Sequence, residues 1–210
     1  MTARETAVSS VRRFPLVLLL PALAGAFGCA SAFLPPPADA LSRAAATRSY
    51  SGRMRVSLRA PAFRARSPLL VAFCRPDALR IEVPGPGGAR LLAVTRDGRL
   101  TAVFPGERAV FQGPATTAEL EALLGVPLTP AEVIDLLLGV PSPRLLSYEA
   151  RWDPDLPRRI EATLPDGGRL RLDVEEADRG VLLPSSAFDD PPHAGYRRVD
   201  VDEARTLWTR

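Results

Sequence analysis

Few residues of this chain are placed to do chemistry. Its one histidine, His193, stands in Pro191-Pro192-His193-Ala194-Gly195. A zinc site draws several His, Cys, Asp or Glu ligands from fixed spacings, so a lone loop histidine reads as a bystander. Paired carboxylates can act as general acid and base. Asp153/Asp155 and Asp189-Asp190 are such pairs, but both lie among prolines, where solvated turn residues are the simpler reading. Glu175-Glu176 with Asp178 reads as a polar hairpin end. The chain contains no Gly-x-Ser-x-Gly elbow, glycine-rich phosphate loop or His-Glu-x-x-His. No enzyme and no metal site is therefore expected. Two cysteines remain. Cys74 ends Leu69-Leu70-Val71-Ala72-Phe73 and reads as a small buried hydrophobe. Cys29, directly after an apolar run, is the one side chain placed to act as a nucleophile.

The elements around Cys29 give that thiol a context. Arg4, Arg12 and Arg13 make a positive start, and Phe14–Phe27 follows without a charge. This run is shorter than the twenty or so residues that span a bilayer, contains Pro21, and ends in small residues, as a secretory signal does. Its end, Ala26-Phe27-Gly28-Cys29, resembles the lipobox of bacterial lipoproteins, although Leu is commoner than Ala at the first position. The resemblance implies cleavage before Cys29, a covalent diacylglycerol on its sulfur and an N-acyl chain, with no other cofactor. The alternative is a signal cut by the ordinary peptidase, with Cys29 incidental. An acylated Cys29 leaves Cys74 without a disulfide partner. Ala30 and Ser31 lack the Asp that retains lipoproteins at the inner membrane in the best-known sorting rule. The outer membrane, facing the periplasm, is the expected location.

Removing residues 1–28 takes Arg4, Arg12, Arg13 and Glu5 away, so the formal charge of +3 falls to +1. Every basic residue is arginine, and the arginines are spread along the chain rather than clustered to grip a phosphate backbone. No nucleic-acid partner is expected. About 180 residues remain, enough for one domain with a real core.

Residues 29–38, with Pro35-Pro36-Pro37, read as an extended tether, and residues 39–210 as one folded domain. Asp39 is placed to cap a first helix through Thr47. From Tyr50 the apolar period becomes two: Met54, Val56 and Leu58 alternate with arginines, as do Leu69, Val71 and Phe73, then Leu79, Ile81 and Val83. Strands at 91–95 and 100–104 flank Asp97-Gly98, a tight hairpin signal. Ala109–Phe111 completes six short strands of an antiparallel meander. The period then turns helical. Thr116 to Glu119 reads as a capping box, and Thr129-Pro130 with Glu132 starts a second apolar helix. Strands resume at 145–152, 159–164 and 170–174, with weaker ones at 181–183 and 196–201. Residues 202–210 carry no clear signal.

Six strands, two Gly/Pro-ended apolar helices, then more strands is an order that resembles the outer-membrane lipoprotein receptor LolB and its half-barrel relatives. The residues that carry it are Tyr50-Ser51-Gly52-Arg53-Met54, Leu69–Phe73, Leu79–Gly85, Leu120–Pro130 and Leu136–Pro141. The likeness covers roughly residues 39–175. It implies an α+β fold, mainly antiparallel β, in which a curved half-open barrel is covered by short helices. The cavity would be lined by Met54, Val56, Leu58, Phe63, Val71, Phe73, Leu79, Ile81 and Val83, with Leu123 and Leu137 from the lid helices. Acyl chains, which gain about 0.8 kcal/mol per buried methylene, or lipoproteins would be the cargo, and a periplasmic carrier protein a partner. In that family the membrane-facing loop after the strand at 79–83 can present an exposed apolar residue. Here it reads Pro84-Gly85-Pro86-Gly87-Gly88 without one. A lipid-binding lipoprotein and a non-transporting assembly subunit both stay open.

Overall fold

The computed structural model describes residues 37–61 and 63–209. Cys29, the signal sequence and nearly all of the tether lie outside them. The alternating segments form strands as their period demands. β1 (Ser49–Ala60) and β2 (Phe63–Cys74) are twelve residues each, longer than the short strands expected. β3 (Ala78–Gly85), β4 (Gly88–Arg96), β5 (Arg99–Phe104) and β6 (Ala109–Pro114) complete the meander. The β4–β5 turn has Asp97 at φ 50° and Gly98 at φ 71°, the two left-handed positions a tight primed turn requires. After two helices, β7 (Ser147–Asp153), β8 (Leu156–Thr163) and β9 (Arg169–Arg179) return, and β9 pairs antiparallel with β1. The result is one ten-stranded sheet in the order β10-β6-β5-β4-β3-β2-β1-β9-β8-β7, open between its outermost strands.

The C-terminal third departs from expectation. Val181–Leu183 is not a strand: Gly180 turns at φ 69°, and Leu182 is fully exposed. Of the expected strand at 196–201 only β10 (Arg197–Arg198) forms, and it runs parallel to β6. Eleven expected strands are thus ten. A 3-10 turn at Ser185–Phe188 straps the outer face of β3–β5, where Arg80 donates to the Ala187 carbonyl (3.1 Å) and the Thr101 hydroxyl to Asp190 (2.8 Å). Beneath it Val94, Val103 and Phe188 are buried.

Among the described residues four α-helices accompany the sheet. In α1 (Ala40–Ala46) Asp39 makes no capping bond and pairs with Arg43 instead. α2 (Thr117–Leu124) starts at Thr116, whose hydroxyl accepts from the Glu119 N–H at 3.3 Å. The reciprocal half of the expected box is missing, since Glu119 Oε2 is buried without a partner. α3 (Pro130–Leu137) has the complete box between Thr129 and Glu132. α4 (Val201–Thr209) occupies the stretch where no element was expected. Asp200 accepts from the Glu203 N–H at 2.8 Å, which caps its start.

Burial pushes the Glu132 carboxyl up, but hydrogen bonds from Ser142 (2.6 Å) and from the Thr129 N–H and hydroxyl, with Arg144 nearby, outweigh it and hold the group below its ordinary range. A carboxylate depressed in the folded state adds stability above its unfolded pKa and loses it as pH falls through the folded one. Thermal unfolding midpoints are therefore expected to drop as pH falls below the ordinary glutamate range, about 4.3. Glu132→Gln should lower the neutral midpoint, costing about 1 kcal/mol, and flatten that drop. An unchanged pH profile in the variant would show that Glu132 contributes nothing to it.

Candidate functional site

One face of the sheet is apolar from strand to strand because the registers align the inward positions. Met54 lies opposite Leu69 and Val174, and Val71 opposite Ile81. Phe73 is opposite Leu79, and Val83 opposite Leu91. Met54, Val56, Leu58, Phe63, Val71, Phe73, Leu79 and Val83 are all buried in one hydrophobic cluster, while Ile81 packs against it half-buried. Tyr50 stacks on Phe73 with ring centroids 5.3 Å apart. Burial, with Asp178 adding to it against the opposing pull of Arg158, pushes its hydroxyl up to about 12, so it stays protonated.

The helices fill this face. Leu120, Leu123 and Leu124 of α2 and Ile134, Leu136 and Leu137 of α3 belong to the same cluster. So do Leu207 and Trp208 of α4. Trp208 sits 5.7 Å from Phe63, under the Arg90 guanidinium at 5.6 Å. Two glycines let the chain approach this closely. A Cβ on Gly125, the left-handed cap of α2, would lie 2.7 Å from the Phe63 ring. A Cβ on Gly139, at φ +83°, would lie 2.3 Å from the Trp152 ring of β7. Phe63 and Leu58, two of the residues expected to line a cavity, thus lie directly against the end of α2.

Arg75, in the β2–β3 turn, donates to Asp135 of α3 at 2.6 Å and to the Thr47 carbonyl at 3.0 Å. With its side chains 18% and 38% exposed, this pair is partly sheltered from screening. The Tyr148 hydroxyl and the Trp208 indole nitrogen are buried without hydrogen-bond partners.

Grooves open elsewhere. A groove of about 930 Å³ lies on the outer face, lined by arginines and carboxylates of β1, β2 and β7–β9. A smaller one of about 320 Å³ is lined by Gly85–Arg90, which includes most of the loop at 84–88, and by Pro105–Glu107. In that loop β3 runs to Gly85 and β4 starts at Gly88, so it is a tight turn, with Gly87 at φ 80°.

The other singled-out groups are engaged structurally. Asp153 pairs with Arg158 (3.0 Å), Asp155 with Arg43 (3.3 Å) and Asp189 with Arg96 (3.0 Å). His193 Nδ1 lies 2.7 Å from the Pro191 carbonyl oxygen. Cys74 is half-buried rather than buried, because it follows Phe73 and so faces away from the core. Among the described residues no group of three or more His, Cys, Asp or Glu is arranged to hold a metal ion. No helix among them is long and apolar enough to cross a membrane. The site residues that sequence reasoning missed are Leu207 and Trp208. Val201, Ala204 and Trp208 recur at helical spacing after Asp200-Val201-Asp202-Glu203, a signal that was present.

No family model and no curated protein matches the chain. Solved structures follow a similar course. An uncharacterized conserved protein from Thermus thermophilus has 12% identity over 77% of this chain and 96% of its own, with a TM-score of 0.45. A LolA superfamily protein from Nitrosomonas europaea has 11% identity over 74% and 98%, with 0.42. A domain named for outer membrane lipoprotein sorting, from Vibrio parahaemolyticus, has 7% identity over 72% and 95%, with 0.38.

Proposed function

We propose that this chain is an envelope lipoprotein, anchored by acyl groups on Cys29 at the outer membrane, whose curved sheet binds acyl chains when its lid helices swing aside. The observation that supports it is the apolar face itself. It runs unbroken across the strands of an open sheet and is closed by short helices rather than by strand pairing. Met54, Val56, Leu58, Phe63, Val71, Phe73, Leu79, Ile81 and Val83 would receive the chain once Leu123 and Leu137 leave. Each methylene buried stabilises the complex by about 0.8 kcal/mol, against the cost of undocking two helices. The Pro84–Gly88 loop lies at the end of the sheet away from the Arg75–Asp135 tie. In this reading the chain holds acyl groups and has no apolar residue there to insert cargo.

A second reading is favoured by the close packing of lid on sheet. In it the same domain is an assembly subunit that binds a protein partner and never opens. A fluorescent fatty acyl probe separates the two, applied to the segment 33–210, which forms one compact unit with its whole hydrophobic cluster inside it. The carrier reading expects saturable uptake. It also expects faster uptake in Arg75→Gln, because α3 then loses its tie to the β2–β3 turn. No uptake by either protein leaves the assembly reading.

A further inference from the structure

The outer face of the sheet is divided. Over β3–β5 it is strapped by residues 185–190, but over β7, β8, β9, β1 and β2 it is open. Register places its side chains in rows across these strands. In one row Arg159 stands opposite Asp173 and engages it at 2.6 Å, while Arg171 reaches the same carboxylate at 2.8 Å from the neighbouring row and Arg55 engages Glu175 at 3.0 Å. In the next, Arg171 also lies 3.9 Å from Glu161. The row nearest the β1–β2 and β8–β9 turns differs. Arg64 is directly opposite Arg59, and Arg59 directly opposite Arg169, so three adjacent strands carry arginine in line. The row continues as Thr163 and Ser147, whose hydroxyls bond each other at 2.7 Å. All three arginines are exposed, and Arg66 stands exposed two residues from Arg64.

Like charges directly opposite on a sheet are destabilising. Of the carboxylates that line the groove, Glu161 and Asp173 are turned to Arg171 and Arg159, Glu175 to Arg55, and Glu149 stands opposite Glu161 in the neighbouring row. Asp166 in the neighbouring turn accepts from the Gly168 N–H at 2.9 Å. The groove is therefore internally neutralised at one end and positive at the other. Beside the positive end, Leu146 is 66% exposed and tied by its N–H to the Thr163 carbonyl at 2.9 Å. Guanidinium groups in a line with an exposed leucine at their flank fit a plane of phosphates over an apolar layer. A soluble anion would use the charge and leave the leucine in water.

We propose that the Arg64–Arg59–Arg169 row, with Arg66 and Leu146, docks the outer face of this sheet on an anionic phospholipid surface. This contact is separate from any acyl anchor and does not require the interior to open. It would hold the domain flat against the bilayer, the outer face of β1, β2 and β9 turned to the headgroups.

The test is sedimentation of the segment 33–210 with vesicles of phosphatidylcholine alone or with one third phosphatidylglycerol. Binding to the anionic vesicles alone is expected, and it should be lost in high salt, since surface charges are screened there. An arginine at an anionic surface adds roughly a fivefold gain in partitioning. The triple variant Arg59→Gln, Arg64→Gln, Arg169→Gln should therefore bind about 100-fold more weakly. A control with the same charge change, Arg48→Gln, Arg99→Gln, Arg179→Gln, should lose far less. The first triple should also melt no lower than the wild type, because it relieves facing like charges. Equal losses in the two triples, equal binding to neutral vesicles, a lower melting midpoint in the first triple, or capture by a soluble polyanion with no vesicle binding would each overturn the proposal.

Discussion

Gly139→Ala is expected to cost roughly 2–5 kcal/mol, against about 1–2 for the same change at Gly98. Both glycines hold left-handed backbone, at φ +83° and +71°. That backbone disfavours any L side chain by a similar amount at the two sites. Their surroundings differ. A Cβ on Gly98 meets nothing within 4 Å, whereas one on Gly139 would overlap the Trp152 ring at 2.3 and 2.5 Å. The excess at Gly139 is thus the energy of forcing the segment after α3 off β7, which the carrier reading makes the first step of lid opening. Denaturant midpoints of the two variants give the difference directly. If acyl uptake needs the lid to move, Gly139→Ala should also take up a fatty acyl probe faster at temperatures where it remains folded, and Gly98→Ala should not. Equal destabilisation by the two changes would mean that Trp152 yields freely and that the lid is not docked as described.

Phe73→Ala carries the second large effect, a loss of about 3–5 kcal/mol. Phe73 is fully buried on β2, stacked on Tyr50 and opposite Leu79. Its removal leaves a space that rigid neighbours on both strands cannot close, and an apolar space of that kind stays dry and accepts apolar guests. The variant therefore separates packing from function. In a domain that admits acyl chains, adding one should restore more of the lost melting temperature in Phe73→Ala than it adds to the wild type, since ligand binding stabilises by mass action. A variant destabilised as expected but indifferent to acyl chains would favour the assembly reading.

Much of this was legible in the sequence, for reasons that can be named. Met54, Val56 and Leu58 alternate with arginine so regularly that one face of β1 could only turn inward, and the same holds for β2 and β3. The β4–β5 hairpin was written in Asp97-Gly98, and α3 in Thr129, Pro130 and Glu132, because each rests on contacts within four residues. What depended on distant partners was less legible. Val181–Leu183 has strand-forming residues, but Gly180 turns it out into solvent. β10 is two residues long and exists only because β6 offers an edge. α4 was missed because its apolar residues are sparse among charges, and their destination, Phe63 and Arg90, lies more than a hundred residues away. Two carboxylates placed to close capping boxes fared differently. Glu132 finds Ser142 ten residues on, and Glu119 finds no partner. The outer arginine row was visible only as ordinary alternation. That Arg64, Arg59 and Arg169 stand side by side follows from the pairing of β9 with β1, which joins residues far apart in the chain.

The interior holds its own reporters. The chain has two tryptophans. Trp152 lies under Gly139 and Trp208 against Phe63, both buried where the helices meet the sheet. Bromine quenches indole emission only at contact range, so a fatty acid brominated along its chain reports entry into this space. Titration of the segment 33–210 with such a fatty acid is expected to quench the buried emission saturably, with an unbrominated chain competing for the same site. Emission that stays unchanged while the protein remains folded would contradict an acyl-binding interior.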